Sequence, residues 1–152
     1  MSLDAETCEL LAQNIHSGMT VGLIGVGKFG TALRDYLAEH YTVTFLLCDP
    51  PRFADDSEDL CDALREVWGN GMGGCDFSTI RTETFLPLEY VVKKSDILLI
   101  QVPYTENGPW KTDGMLTADL LSLAEKAVSI INFSDFRVIA ADAIEYCLPP
   151  VW

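Results

Sequence analysis

Positive charge is scarce in this sequence. Ten Lys and Arg stand against 23 Asp and Glu, for a net charge of −13. A chain so acidic has no broad basic surface for phosphate backbones or anionic lipid headgroups, so neither a nucleic-acid nor a membrane partner is expected. No apolar run reaches the length of a membrane-spanning helix. The start, Met1-Ser2-Leu3-Asp4, lacks the basic and apolar regions of a secretory signal. The five cysteines, Cys8, Cys48, Cys61, Cys75 and Cys147, are odd in number and form no C-x-x-C pair. Reduced thiols and a cytoplasmic location are the expectation. With two histidines and no Cys/His cluster, a structural zinc site is not expected. Repeats and low-complexity tracts are absent too. What remains is an ordinary globular composition, 49% hydrophobic over 152 residues. One domain spanning 1–152 is expected, long enough to bury about 68–70% of its unfolded surface.

The chain is organised around Val21-Gly22-Leu23-Ile24-Gly25-Val26-Gly27-Lys28-Phe29-Gly30. An apolar run ends in glycines spaced G-x-G-x-x-G. Behind them Phe29, Leu33 and Leu37 recur at a helical period. Strand before and helix after is the context that turns a common glycine pattern into a dinucleotide site. Gly25 permits the turn from strand to helix. Gly27 lets a pyrophosphate approach the backbone, and Gly30 lets the helix pack against the strand. The helix N-terminus then offers N–H groups and its positive dipole end, with the amides of Val26 to Phe29 facing the phosphates. A second strand is read over 42–48, with Asp49 at its end, where a carboxylate would accept ribose hydroxyls. A glycine turn plus a helix-capping Asp is the plainer reading of the same residues.

The remaining segments alternate. A short helix over 5–15 buries Leu10, Leu11 and Ile15. His16 falls in a turn. After Pro50-Pro51 an acidic segment carries Leu60, Ala63, Leu64, Val67 and Trp68 at helical spacing, an amphipathic helix with a hydrated acidic face. Gly69 to Gly74 is a glycine loop that no Lys-Ser/Thr follows, so it is not a Walker loop. A weak strand near 81–85 leads to Pro87, which suits the start of a helix ending near Lys94. Asp96 to Val102 is the continuous apolar run of a strand buried on both faces. A loop from Pro103 to Thr112 precedes a helix over 117–125 with Thr117 as N-cap. A strand over 127–132 and a helix over 139–147 close the pattern. Strands alternating with helices predict an α/β, Rossmann-type doubly wound parallel sheet of about five strands in the order 3-2-1-4-5. Val102 and Pro103 would then line the crevice at the topological switch point, beside Gln101.

From Gly22 onward the chain resembles the cofactor domain of the D-isomer-specific 2-hydroxyacid dehydrogenases. The carrying runs are 21–27, Leu-Leu-Cys-Asp-Pro-Pro-Arg at 46–52, Ser-Asp-Ile-Leu at 95–98 and Pro-Tyr-Thr-Glu-Asn-Gly-Pro-Trp-Lys-Thr at 103–112. Cys-Asp-Pro-Pro-Arg and Asn-Gly-Pro-Trp-Lys-Thr are specific to one branch of that family. The resemblance makes residues 55–82 an insertion. It implies NAD as cofactor, held by Gly25, Val26, Gly27, Lys28, Phe29, Gly30 and Asp49, with contacts from the ends of the fourth and fifth strands. It also implies pairing of cofactor domains. Exposed aromatics, for which Trp68, Trp110, Phe136 and Trp152 are the candidates, would fit a homo-oligomer.

The chain departs from the family where the chemistry lies. The family uses an Arg on the substrate's carboxylate and carbonyl, and a His acid/base tuned by a Glu. The Arg belongs to an Asn-x-x-Arg-Gly turn, which here reads Asn132-Phe133-Ser134-Asp135-Phe136. Asp135 takes the Arg position, and Arg137 follows two residues later. The family's Glu and His would fall beyond residue 152, and His16 and His40 are not in matching places. No catalytic residue is therefore assigned. Three readings stand: a dehydrogenase cofactor domain, a stand-alone dinucleotide module for sensing or assembly, and a Rossmann-like methyltransferase. The third glycine and the run after Asp49 speak against the last.

Overall fold

In the computed structural model, residues 2–49 and 85–147 are described. Helix α1, Ala5–Asn14, starts where the Asp4 carboxylate accepts the Thr7 N–H at 2.7 Å. This satisfies one orphan donor of the first turn. Strand β1, Thr20–Ile24, runs into α2, Lys28–His40, and then β2, Thr44–Cys48. Pro87 caps α3, Leu88–Lys94, which leads to β3, Ile97–Ile100. A one-turn helix α4, Ala118–Leu121, precedes β4, Ser129–Asn132. Two 3₁₀ segments follow, Phe136–Val138 and Ala141–Tyr146.

The sheet is parallel throughout, in the order β2-β1-β3-β4. Every β3 residue is buried, as expected of a strand covered on both faces. Alternation along β1 separates two cores. Val21 and Leu23 pack with Leu11, Leu33 and Leu37 on the α1/α2 side. Ile24 packs with Val91, Val92, Leu98 and Ile130 on the α3 side. Gly22 faces α3 as well. A Cβ there would lie 2.7 Å from Val91 Cγ1 and 2.8 Å from Leu98 Cδ2, so the missing side chain sets how closely α3 lies on the sheet.

The α/β parallel architecture agrees with the sequence reading, and four of the expected strands form among the described residues. Phe85 alone of the weak strand is described, and it makes one parallel bridge to Leu47, on the outer side of β2. Its place agrees with the expected order 3-2-1-4-5. The helix expected over 117–125 stops at Leu121. The helix expected over 139–147 is a 3₁₀ segment over 141–146. The amphipathic acidic helix, the glycine loop and the 55–82 insertion lie outside the described residues. Among the described residues no helix is long and apolar enough to cross a membrane, and Cys8, Cys48 and Cys147 are free thiols.

Candidate functional site

Parallel pairing brings the C-terminal ends of β1, β2, β3 and β4 to one edge, and the glycine turn lies there. Gly25 has φ +93° and donates its N–H to Cys48 O at 2.7 Å. A Cβ at Gly25 would collide with the Gln101 carbonyl and sit 2.8 Å from Val102 Cγ1. One at Gly30 would strike the Gly25 carbonyl oxygen and stand 3.3 Å from Gln101 Cγ. Gly27 differs from both. It is exposed, and a Cβ there would meet nothing within 4 Å. Two of the three glycines are therefore required by packing, and the third leaves an open seat.

That seat lies at the start of α2. Gly27 is the N-cap and offers no side-chain cap. The first helical bond is Thr31 N–H to Gly27 O at 2.9 Å, so the amides of Lys28, Phe29 and Gly30 precede it. Lys28 is exposed beside them. Asp49, at the end of β2, accepts the Val26 N–H through Oδ2 at 3.1 Å. The Val26 amide, expected at the phosphates, thus faces the carboxylate, and Asp49, expected at the adenosine ribose, is tied to the turn as well. Its Oδ1 has no partner among the described residues.

The ends of β3 and β4 join this turn by hydrogen bonds. Gln101 donates its backbone N–H to Ile24 O at 2.9 Å and Nε2 to Gly25 O at 2.7 Å. Val102 N–H reaches Ser134 Oγ at 2.7 Å, and Ser134 N–H reaches Asn132 Oδ1 at 2.9 Å. Pro103 is exposed, with its carbonyl accepting the Thr112 hydroxyl at 2.7 Å. Phe29 and Phe133 meet edge to face at 5.2 Å. A cleft of about 350 Å³ opens next to them, lined by Thr7, Leu10 and Gln13 of α1 and by Asn132, Phe133 and Ser134. The sequence offered no signal for Ser134 as a brace, since it is an unremarkable polar residue until β3 and β4 are paired.

At the turn after β4, Asp135 and Arg137 form a fork. Nε and Nη2 of Arg137 reach the two carboxylate oxygens at 2.9 and 2.8 Å, and the Arg137 backbone N–H adds a third bond at 2.9 Å. The guanidinium stands 3.8 Å over the Tyr104 ring, with Glu106 at 3.9 Å. The side-chain bonds from Arg137 hold the Asp135 carboxyl down at about 2, and the same bonds raise the guanidinium's proton affinity. Burial, with help from the Asp113 carboxylate, pushes Tyr104 up to about 12. Arg137 is a committed cation. Among the described residues no group of three or more His, Cys, Asp and Glu is placed to hold a metal.

Relatives of known name share this arrangement of sequence. Over 124 residues the chain is 34% identical to an erythronate-4-phosphate dehydrogenase of Photorhabdus laumondii, covering 82% of this chain and 26% of the relative. The chain is thus similar in sequence to erythronate-4-phosphate dehydrogenases, in agreement with the resemblance to the D-isomer-specific 2-hydroxyacid dehydrogenases that its motifs carry. The erythronate-4-phosphate dehydrogenases are the branch to which Cys-Asp-Pro-Pro-Arg and Asn-Gly-Pro-Trp-Lys-Thr point. The chain spans about a quarter of the length of these curated relatives. Solved structures share the fold: an NAD-dependent formate dehydrogenase from Staphylococcus aureus, in complex with NAD, superposes with TM-score 0.58 at 21% identity, covering 90% of this chain and 33% of that one. A D-isomer-specific 2-hydroxyacid dehydrogenase from Lactobacillus delbrueckii ssp. bulgaricus, in its NAD-complexed form, gives 0.53 at 20% identity over 83% of this chain and 30% of that one. No protein-family model matches the chain.

Proposed function

We propose that this chain is the NAD-binding domain of a D-2-hydroxyacid dehydrogenase-like oxidoreductase. The observation that carries the reading is the open seat at Gly27, bounded by the first-turn amides of α2 and by Asp49. The pyrophosphate sits over Gly27 against the N–H groups of Lys28, Phe29 and Gly30, where the helix dipole favours negative charge. This local field matters because the whole chain, at −13, repels an anion at long range. Asp49 keeps Oδ2 on the Val26 N–H and offers Oδ1 to an adenosine ribose hydroxyl. Val102 and Pro103 line the crevice between β1 and β3, where a dinucleotide crosses the strand-order switch. When bound, the nicotinamide supplies hydride chemistry, and the protein supplies only its seat and orientation.

Titration calorimetry with NAD and NADP tests the assignment. Asp49 accepts ribose hydroxyls but repels a 2′-phosphate, so NAD should bind several-fold to about a hundredfold more tightly. Equal or tighter NADP binding would remove Asp49 from the site.

A second reading is a dinucleotide module without turnover, used for sensing or assembly. It draws on the Asp135–Arg137 fork, which commits the cation nearest the family's Arg position to an internal carboxylate. Either reading suits a cytoplasmic protein that self-associates. Trp110, Phe136 and Ile144 are large exposed apolar residues, while Trp68 and Trp152 lie outside the described residues. Light scattering at high micromolar concentration should give more than the monomer mass, and a sharp monomer would count against the homo-oligomer.

A further inference from the structure

Gln101 meets the glycine turn at two of its three glycines. Its backbone carbonyl is what excludes a side chain from Gly25, its Cγ lies against Gly30, and its Nε2 donates to Gly25 O at 2.7 Å. Gly25 O is an acceptor only, so the amide nitrogen must face it. The next residue, Val102, is bound to Ser134, and Ser134 to Asn132. A continuous hydrogen-bonded path therefore runs from the end of β4 through the end of β3 to the turn. The turn itself needs a fixed carbonyl at Gly25, because that residue sits in the left-handed region from which Val26 and Gly27 are aimed. Gln101 Oε1 is buried and has no partner among the described residues, so a satisfied amide is not the reason for this side chain. Among the described residues the side chain's hydrogen bond is the one to the turn.

We infer that Gln101 is a positioning residue. It latches the Gly25 carbonyl to the end of β3, and it thereby holds the amides after Gly27 in the geometry that receives a pyrophosphate. The ligand part of this inference rests on the NAD-binding reading above. The latch itself does not. A packing role is the competing account, and Gln101→Met separates the two, because methionine keeps nearly the length and volume of glutamine and removes the donor.

The experiment has two arms on the full chain. Amide hydrogen exchange by NMR, without ligand, should become several-fold faster at residues 26–30 in Gln101→Met, with exchange in β4 unchanged. Calorimetry with NAD should show binding weakened roughly threefold to tenfold, the share of one neutral hydrogen bond. Unchanged exchange in the turn overturns the latch. Faster exchange with an NAD affinity within twofold of the parent overturns the positioning role. If the parent chain takes no NAD, the functional reading fails, and the exchange arm still decides the latch. Should Gln101→Met not fold, Gln101→Glu decides. Only a protonated Glu can donate to Gly25 O, so its NAD affinity should improve relative to the parent as pH falls from about 8 to about 5. A parallel pH profile for the two proteins overturns the proposal.

Discussion

At the glycine turn, adding one methyl group should have opposite consequences at neighbouring positions. Gly27→Ala or Gly27→Val should fold like the parent, because a Cβ there meets nothing within 4 Å. The larger variant should still lose NAD binding, since its side chain fills the seat. Gly25→Ala should be destabilised by about 1–3 kcal/mol, because it combines a left-handed backbone with a collision at the Gln101 carbonyl. Urea unfolding and calorimetry on the same variants check both halves, and a Gly27→Val chain that binds NAD normally would displace the pyrophosphate from this turn. Asp135 gives a pH prediction at the same scale. Its carboxyl titrates at about 2 in the fold against an ordinary 3.8, mainly through the side-chain bonds from Arg137. A depressed carboxyl contributes stability above its unfolded value and loses it as pH falls through its folded value. The stability difference between the parent and Asp135→Asn should therefore be constant above about pH 4 and shrink toward pH 2. A difference that persists unchanged at pH 2 would refute the fork as its source.

Among the elements, the starts of β1 and β3 are held by one carboxylate. Asp96 Oδ2 accepts the Thr20 N–H at 2.8 Å, Asp96 N–H returns a bond to Thr20 O at 2.8 Å, and Oδ1 meets Lys126 at 3.0 Å. The Thr20 backbone bond, more than Lys126, depresses this carboxyl. Asp96→Ala leaves the Thr20 N–H without its acceptor and should cost about 1–2 kcal/mol in urea unfolding. Lys126→Ala should cost little, since exposed ion pairs contribute little. Equal losses from the two would contradict this ordering. Ser95-Asp96 was legible in the sequence only as part of a family-like run, and pairing supplies its reason: Ser95 is fully buried under Gly22, and Asp96 ties two strands. The strands and α1 to α3 were legible because their apolar periods are unambiguous. Thr117 was read correctly as a cap, its hydroxyl accepting the Leu120 N–H at 3.1 Å. The extent of its helix was not legible, because Leu120, Leu121, Leu123 and Ala124 continue an apolar pattern past the point where the chain leaves helical geometry. The 139–147 segment fails in the same way. Ile139, Ala143 and Cys147 repeat every four residues, yet isolated bridges Leu116–Ile139 and Ile130–Cys147 pin both ends, and the segment between them is 3₁₀. In the candidate site, G-x-G-x-x-G and Asp49 were legible from spacing. The contacts among Val26, Asp49, Gln101 and Ser134 were not, because they join residues far apart in sequence.

For the molecule as a whole, the open question is turnover. Reduction of a 2-oxo acid needs a cation at the carbonyl and carboxylate and a proton donor at the developing alkoxide. At the turn after β4 the nearest cation is Arg137, and it already holds a carboxylate in the fork geometry that a substrate carboxylate would require. The Tyr104 ring and Glu106 fix it further. Tyr104 is a poor proton source, since its hydroxyl is pushed up to about 12 and donates to Asp113 at 2.9 Å. His16 is exposed in the turn before β1, at the opposite edge of the sheet from the glycine turn, and His40 is exposed at the far end of α2. Losing one electrostatic contact of this kind costs about 10²–10³ in rate, and losing the acid/base group about 10²–10⁴ more. The 152-residue chain should therefore not oxidise NADH at 340 nm with pyruvate, hydroxypyruvate, 2-oxoglutarate or a 2-oxo-erythronate phosphate. Asp135→Arg should restore little, because the proton donor would still be missing. Asp135→Ala is the sharper variant: it frees Arg137 without adding a donor, so it should raise affinity for a 2-oxo acid in the presence of NADH while leaving the rate near background. Turnover near about 1 s⁻¹ by the parent chain, within the ordinary enzyme range, would mean that Arg137 leaves Asp135 during the reaction and that a proton donor other than histidine serves the site.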